Sequence, residues 1–257
     1  VFVHPSSGEI LETRNTYKSF VTWVLYLHYS LHARLIGQVV VLLAGLAFLI
    51  SILTGMWIYR KAIMDMLLLR IKFRSKNKRS VASSLHRHLG VWALLLNLII
   101  VSSGVLISYD IVFNGIKSAG KAKQLVTPQI GFSINQAVET LKQQYPEFQP
   151  SSMRFPTAPG LPLRINGRVE GQNIFWSKNY NSALLDPQTG TVQALKLHGN
   201  ADGKTKVASF SRGVHFLEFA NLPVKILFCL AALSAPVLSI TGFMLWYWGK
   251  KKKGRGK

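Results

Sequence analysis

The stretch Leu27-His28-Tyr29-Ser30-Leu31-His32-Ala33-Arg34-Leu35, running through apolar residues to Thr54-Gly55-Met56-Trp57, returns later in the chain. At an offset of 187 it aligns without a gap on Val214-His215, Ala220, Leu222 and Thr241-Gly242. Each copy sets a histidine before an apolar run, a Thr-Gly pair near its far end, and an aromatic exit. The exits read Trp57-Ile58-Tyr59 and Trp246-Tyr247-Trp248. Upstream, Val1-Phe2-Val3-His4-Pro5-Ser6-Ser7-Gly8 matches Ala183-Leu184-Leu185-Asp186-Pro187-Gln188-Thr189-Gly190 at an offset of 182. A duplicated unit that offers one histidine from each of two membrane helices is a way to build one bis-histidine haem site.

The apolar runs are roughly residues 35–59, 89–109 and 224–248. Each is long enough for a hydrocarbon core, which takes about 20 helical residues. The fold class expected is therefore membrane α-helical. Three spans are present, and the repeat predicts four in the complete protein. The chain carries 31 Lys and Arg against 10 Asp and Glu, for a net charge of +21. Such a balance suggests nucleic acid until its distribution is read. Nine of the cations lie between Arg60 and Arg87 with one acid, Asp65, and six more lie between Lys250 and Lys257. Both clusters abut a span, where the positive-inside rule places them on the cytoplasmic side. No nucleic-acid partner is expected; membrane lipid is. The lone cysteine, Cys229, excludes an internal disulfide and reads as a small buried apolar residue.

The segments follow as residues 1–16, the end of a truncated first external domain; 17–60, an interfacial segment and first span; and 61–85, a basic loop. Residues 86–110 form the second span, 111–223 an external domain, 224–248 the third span and 249–257 a basic tail. By symmetry a further span and most of a second external domain would precede Val1. The external domain reads as α+β. Ser133 caps a helix with Ile134, Ala137, Val138 and Leu141 on one face, and Tyr145-Pro146 stops it. Strands are expected at residues 152–155, 162–166, 173–179, 182–185 and 191–195, with Asn166-Gly167 as a hairpin turn.

The helix followed by Asp186-Pro187-Gln188-Thr189-Gly190-Thr191-Val192 resembles a PepSY domain. Together with Leu27-His28, Leu85-His86-Arg87-His88-Leu89-Gly90 and Val214-His215 beside Thr-Gly span ends, the chain resembles the PepSY-associated transmembrane family. That resemblance covers nearly the whole chain. It implies iron-regulated proteins of the bacterial inner membrane, some similar to haem-containing ferric-siderophore reductases. The implied cofactor is haem b, one or two per chain, and the implied substrate a ferric siderophore. The electron donor is left unknown.

The iron ligands expected are His28 and His215 for an outer haem and His86 for an inner one. His32, one turn from His28, is a second candidate on the same face. His88 reads as a headgroup anchor, and His4 and His198 as surface residues. Arg34, Arg87 and Arg212 lie within six residues of a candidate ligand, where a guanidinium could hold a haem propionate. Thr54, Gly55 and Gly242 read as residues that let helices approach. Pro236 is expected to kink the last span, and Asn97 to bond a neighbouring helix. No carboxylate pair, nucleophile elbow or phosphate loop is present, and catalytic residues stay unknown. Two other readings remain open at this point. One is a PepSY module that binds peptide or regulates a protease; the other is a haem subunit of another oxidoreductase.

Overall fold

A computed structural model describes residues 2–3, 9–15, 18–118, 130–158 and 160–254. Among the described residues three helices are long and apolar enough to cross a membrane: α2 (Arg34–Tyr59), α5 (Leu94–Ser118) and residues Leu222–Lys250 of α8 (Leu222–Gly254). At 1.5 Å per residue the 26 residues of α2 reach about 39 Å, more than a core of about 30 Å. Their outward faces carry Ile36, Leu43, Ile50, Leu95, Leu230 and Leu233, all exposed. This is the pattern for helices solvated by lipid rather than by water.

A short helix precedes each repeat-related span. α1 (Phe20–Ser30) leads into α2, and α7 (Gly203–His215) leads into α8. Ser19 starts α1 by accepting the Thr22 N–H, and Leu31 ends it in the left-handed region at φ 49°. His32 (φ 57°) and Arg34 (φ 49°) follow in the same region, which non-glycine residues occupy only under constraint. The cause is nearby: α1 folds back so closely that a Cβ on Gly37 would run into the Ser30 carbonyl.

The second crossing is built from α4 (Lys78–Trp92) and α5, parted only at Ala93. A capping box between Asn77 and Ser80 starts α4. α4 packs on α8, while α5 packs on α2 and α7. Asn97 Nδ2 donates to Ser234 Oγ at 2.8 Å, so the polar residue of this span does bond a neighbouring helix. α8 runs as one helix through Pro236. Cys229 is exposed on α8 rather than buried, because it lies on an outward face. The short α3 (Ile63–Leu67) lies in the basic loop.

The sheet domain packs α6 (Ile134–Gln144) on four antiparallel strands in the order β3-β4-β5-β6. These are Phe148–Arg154, Leu163–Val169, Asn181–Leu185 and Val192–Lys196. Ala137 and Leu141 of α6 meet Phe148, Leu163, Ile165, Ala183 and Leu185 in the core. Two expectations need correction. Asn166-Gly167 is not a turn but the middle of β4, where Gly167 is needed because the Phe148 ring lies across it. Residues 173–179 are not a strand: Asn173 Oδ1 accepts the Phe175 N–H and a 3-10 turn follows at Lys178–Tyr180. Before β6, Asp186 Oδ1 accepts the N–H groups of Gln188 and Thr189 at 2.8 and 3.0 Å. These bonds, that from Thr189 first, hold the Asp186 carboxyl below its usual range. Near the chain start, β1 (Phe2–Val3) pairs antiparallel with β2 (Ile10–Glu12). The turn between them, with His4, lies outside the described residues.

Candidate functional site

Two histidine sites lie along the α4–α5 crossing. At the first, the rings of His28 (α1) and His215 (α7) stand 6.1 Å apart between centres and 22° from parallel. His28 is exposed and His215 half-buried. His215 Nδ1 lies 3.2 Å from the Ile100 carbonyl and 3.2 Å from Ser103 Oγ. The Ser103 hydroxyl is itself committed as a donor to Ile99 O at 2.8 Å. Both neighbours therefore accept, the Nδ1 carries the proton, and Nε2 keeps its lone pair. The ring rests on Gly104, where a Cβ would meet His215 Cε1 at 3.0 Å.

The second site repeats this chemistry near the other end of the bundle. His86 (α4) lies 2.9 Å through Nδ1 from Thr241 Oγ1, whose own hydroxyl donates to Val237 O at 2.7 Å. Nδ1–H is again the donor and Nε2 is left free. Gly242 carries this ring, with a Cβ there 3.3 Å from His86 Cε1. His86 borders a cavity of about 390 Å³ that also reaches Gly55, Tyr59, Arg87, Asn97 and Ser239. From His86 to Gly104 the chain climbs roughly 27 Å at helical rise, so the two sites are well separated along the bundle.

The Thr-Gly pair, read from sequence as a helix-approach motif, thus has a further part in the second copy. It seats a histidine ring by a hydroxyl and an absent Cβ. Ser103-Gly104 does the same for His215. In the first copy Gly55 has nothing within 4 Å and faces the cavity from the opposite wall. The duplication of Thr-Gly was the signal available in the sequence; Ser103 and Gly104 lie outside the repeat and read, like Thr54 and Gly55, as small residues that let helices approach.

The remaining candidates scatter. His32 does not share a face with His28, because α1 has ended at Leu31; its ring packs on Trp23 and Tyr26 instead. His88 binds the Ser84 and Ile71 carbonyls at 2.7 and 3.0 Å and packs on Phe73, anchored to the basic loop. Arg87 lines the cavity with His86 and donates to Ser83 O. Arg212 lies over the Phe216 ring, one turn before His215, and Arg34 is exposed at the start of α2. Among the described residues no group of three or more His, Cys, Asp or Glu is placed to hold a metal ion.

The sheet domain is latched to the helix that carries His215. Glu218 accepts from Ser177 Oγ at 2.8 Å and from Lys178 N at 3.1 Å. Ser209 of α7 binds the Ser177 N–H. Gly213 lies so close to the Phe175 carbonyl that a Cβ would overlap it. None of these contacts is readable from spacing.

His198 is buried, not on the surface as its Gly/Asn loop suggested. It packs tilted against Trp176 with ring centres 3.8 Å apart, and neither ring nitrogen finds a hydrogen-bond partner. Burial, then the Lys206 ammonium, pushes its pKa below the ordinary 6.5. The unfolded chain then takes up this proton first as pH falls. Its contribution to stability is full above 6.5 and is lost toward lower pH. The denaturation midpoint followed by Trp176 fluorescence should fall between pH 7 and 5, and His198→Phe should flatten that slope. An unchanged slope in the variant would assign the acid sensitivity elsewhere. Asp186 and Asp202, both depressed by hydrogen bonds, titrate below this window.

A family model described as the PepSY-associated TM region matches residues 1–250. No curated protein matches the chain.

Proposed function

The chain belongs to the PepSY-associated transmembrane family, and on that premise we propose that it carries electrons across a bacterial inner membrane through b-type haem. Electrons leave on the side of the sheet domain, which faces the periplasm, and reduce a ferric siderophore. The observation that carries this reading is the His28–His215 pair. A metal bound between two imidazoles needs about 2 Å to each nitrogen and roughly 1 Å more to each ring centre, so the centres stand about 6 Å apart. The rings lie 6.1 Å apart. His215 has its Nδ1–H held by oxygen, which fixes the ring and leaves Nε2 for a metal, as in metal-binding histidines.

The residues fit such a group chemically. Neutral imidazole with a free Nε2 could serve as a ligand to haem iron. His28 and His215 would hold the outer haem, with Arg34 and Arg212 near enough in sequence to meet its propionates. His86 would hold the inner one, with Arg87 in the same cavity and Thr54-Gly55 as the matching seat for an opposing ligand. Haem, when bound, supplies reversible one-electron chemistry. The chain's own part is to orient the imidazoles, to seat them on residues without bulk, and to keep water out with apolar helix faces. At the acceptor, ferric iron becomes ferrous, which hard siderophore oxygens hold less tightly, and the metal is released. The electron donor is unassigned.

A reduced-minus-oxidised spectrum of the purified chain in detergent tests the haem, and reduction of a ferric chelate by the pre-reduced protein tests the reaction. A low-spin b-type spectrum with chelate-dependent reoxidation is expected. A spectrum without chelate reduction would make this a haem subunit of another oxidoreductase. No haem at all would leave a PepSY binding module.

A further inference from the structure

The sheet of the external domain has two faces, and α6 covers only one. The register Met153↔Ile165↔Ala183↔Leu195 turns those side chains to the core. The alternate register Ser152↔Asn166↔Ser182↔Lys196 belongs to the other face, and the bond from Asn166 Nδ2 to Ser152 Oγ lies along it. Arg154↔Arg164 and Gln149↔Arg168 continue the same face on β3 and β4. Four cations, Arg154, Arg164, Arg168 and Lys196, therefore share it, and no strand residue on it is acidic.

None of these four cations forms an ion pair among the described residues. The nearest acid in sequence, Glu170, lies past the end of β4 in a turn and pairs with none of them. Arg154 and Arg164 are direct cross-strand partners, about 5 Å apart at Cα, and like charges so placed destabilise a sheet. At the centre lies Asn166, 1% exposed, with its Oδ1 unpartnered. An amide whose oxygen and nitrogen can exchange places by a flip can offer either a donor or an acceptor there. A repulsive pair of exposed arginines beside an unsatisfied buried amide, on the face that α6 does not cover, is the arrangement of a surface that receives an anion.

We propose that this face binds the substrate, and that the substrate class is an anionic ferric chelate, of the catecholate or carboxylate type, rather than a neutral hydroxamate. The iron cargo rests on the reading above; the preference for negative charge does not. Arg154 and Arg164 engage the chelate oxygens through charge-assisted hydrogen bonds, and Arg168 and Lys196 flank them. The face belongs to the domain that Glu218 ties to the His215 helix, and β5 leaves that tie directly.

Gallium(III) tris-catecholate is trianionic and redox-inert, and gallium(III) tris-hydroxamate is neutral, so binding can be measured whether or not haem is present. The full chain in detergent should bind the catecholate complex and lose about tenfold in affinity for each of Arg154→Gln and Arg164→Gln. Binding should weaken with salt, and the neutral complex should bind at least tenfold more weakly. Arg154→Glu should abolish binding while raising the domain's melting temperature, because it gives Arg164 a partner; a variant that merely misfolds would lower both. Equal affinity for the two complexes overturns the proposal. So does a catecholate affinity unmoved by both Gln variants, and most clearly if those variants lose binding to phosphatidylglycerol vesicles, since the face would then hold lipid headgroups. Binding without a haem spectrum would sink the electron-transfer reading and keep this one; a haem spectrum with no charge preference does the reverse.

Discussion

Replacing His215 by alanine is expected to remove a low-spin haem signal from the purified protein, and His28→Ala should remove the same signal. The ring centres lie 6.1 Å apart; on the proposed reading the two would share one haem, and either loss would leave it with one histidine ligand. The double variant should then look like each single one in absorbance and pyridine-haemochrome content. His32→Ala should leave the signal in place, because its ring packs on Trp23 and Tyr26, away from His215. Secondary structure by circular dichroism should be unchanged throughout, since the spans are held by apolar length and internal backbone hydrogen bonds. His86→Ala should remove only a second signal, if two are resolved. Full haem content in both His28→Ala and His215→Ala would sink the ligand assignment.

Gly37→Ala and Gly213→Ala are expected to cause losses as large while leaving every histidine in place. A Cβ on Gly37 meets the Ser30 carbonyl, and one on Gly213 meets the Phe175 carbonyl. Both obstacles are backbone, which cannot swing aside like a side chain. The first substitution must lift α1, and with it His28, off the start of α2. The second must part α7, two residues before His215, from the sheet domain. Overpacking of this kind typically costs about 1–3 kcal/mol, and here it displaces a candidate ligand as well. Haem content should fall in both variants. Limited proteolysis should newly cut residues 172–180 in Gly213→Ala alone, because the Ser177–Glu218 latch lies on that side. Gly249→Ala, in α8 with nothing within 4 Å, is the matched control and should change neither readout. Gly37→Ala with wild-type spectra would show that the close corner has no part in placing His28.

The spans were legible because membrane crossing is a one-dimensional property: about 20 apolar residues in a row suffice, whatever packs against them. The histidine pairing was partly legible for a different reason. Duplication places His28 and His215 at matching points of matching units, so a symmetric bundle brings them together before any contact is known. The sheet domain was legible in its helix and its Asp186 turn, where capping and Asx geometry act within four residues. It was misread at Asn166-Gly167, since the same dipeptide that favours a hairpin also makes room for the Phe148 ring. His32 was placed on the His28 face on the assumption that α1 continued. A left-handed Leu31 ended it, and that conformation is imposed by the tight corner with α2, not by leucine itself.

What this sequence determines alone is the membrane class, the repeat, the family and the uneven distribution of charge. Each follows from composition or from order along the chain. What only the tertiary structure decides is which hydroxyl fixes which imidazole tautomer, and which glycine yields its space to which ring or carbonyl. It also decides that Arg154 and Arg164 stand directly opposite each other beside a buried, unsatisfied Asn166. Those facts depend on residues 7 to 156 positions apart meeting within a few ångströms. Local preference falls off within a turn or two of helix, whereas such meetings are set by how helices cross and strands register, and those are properties of the whole packed chain.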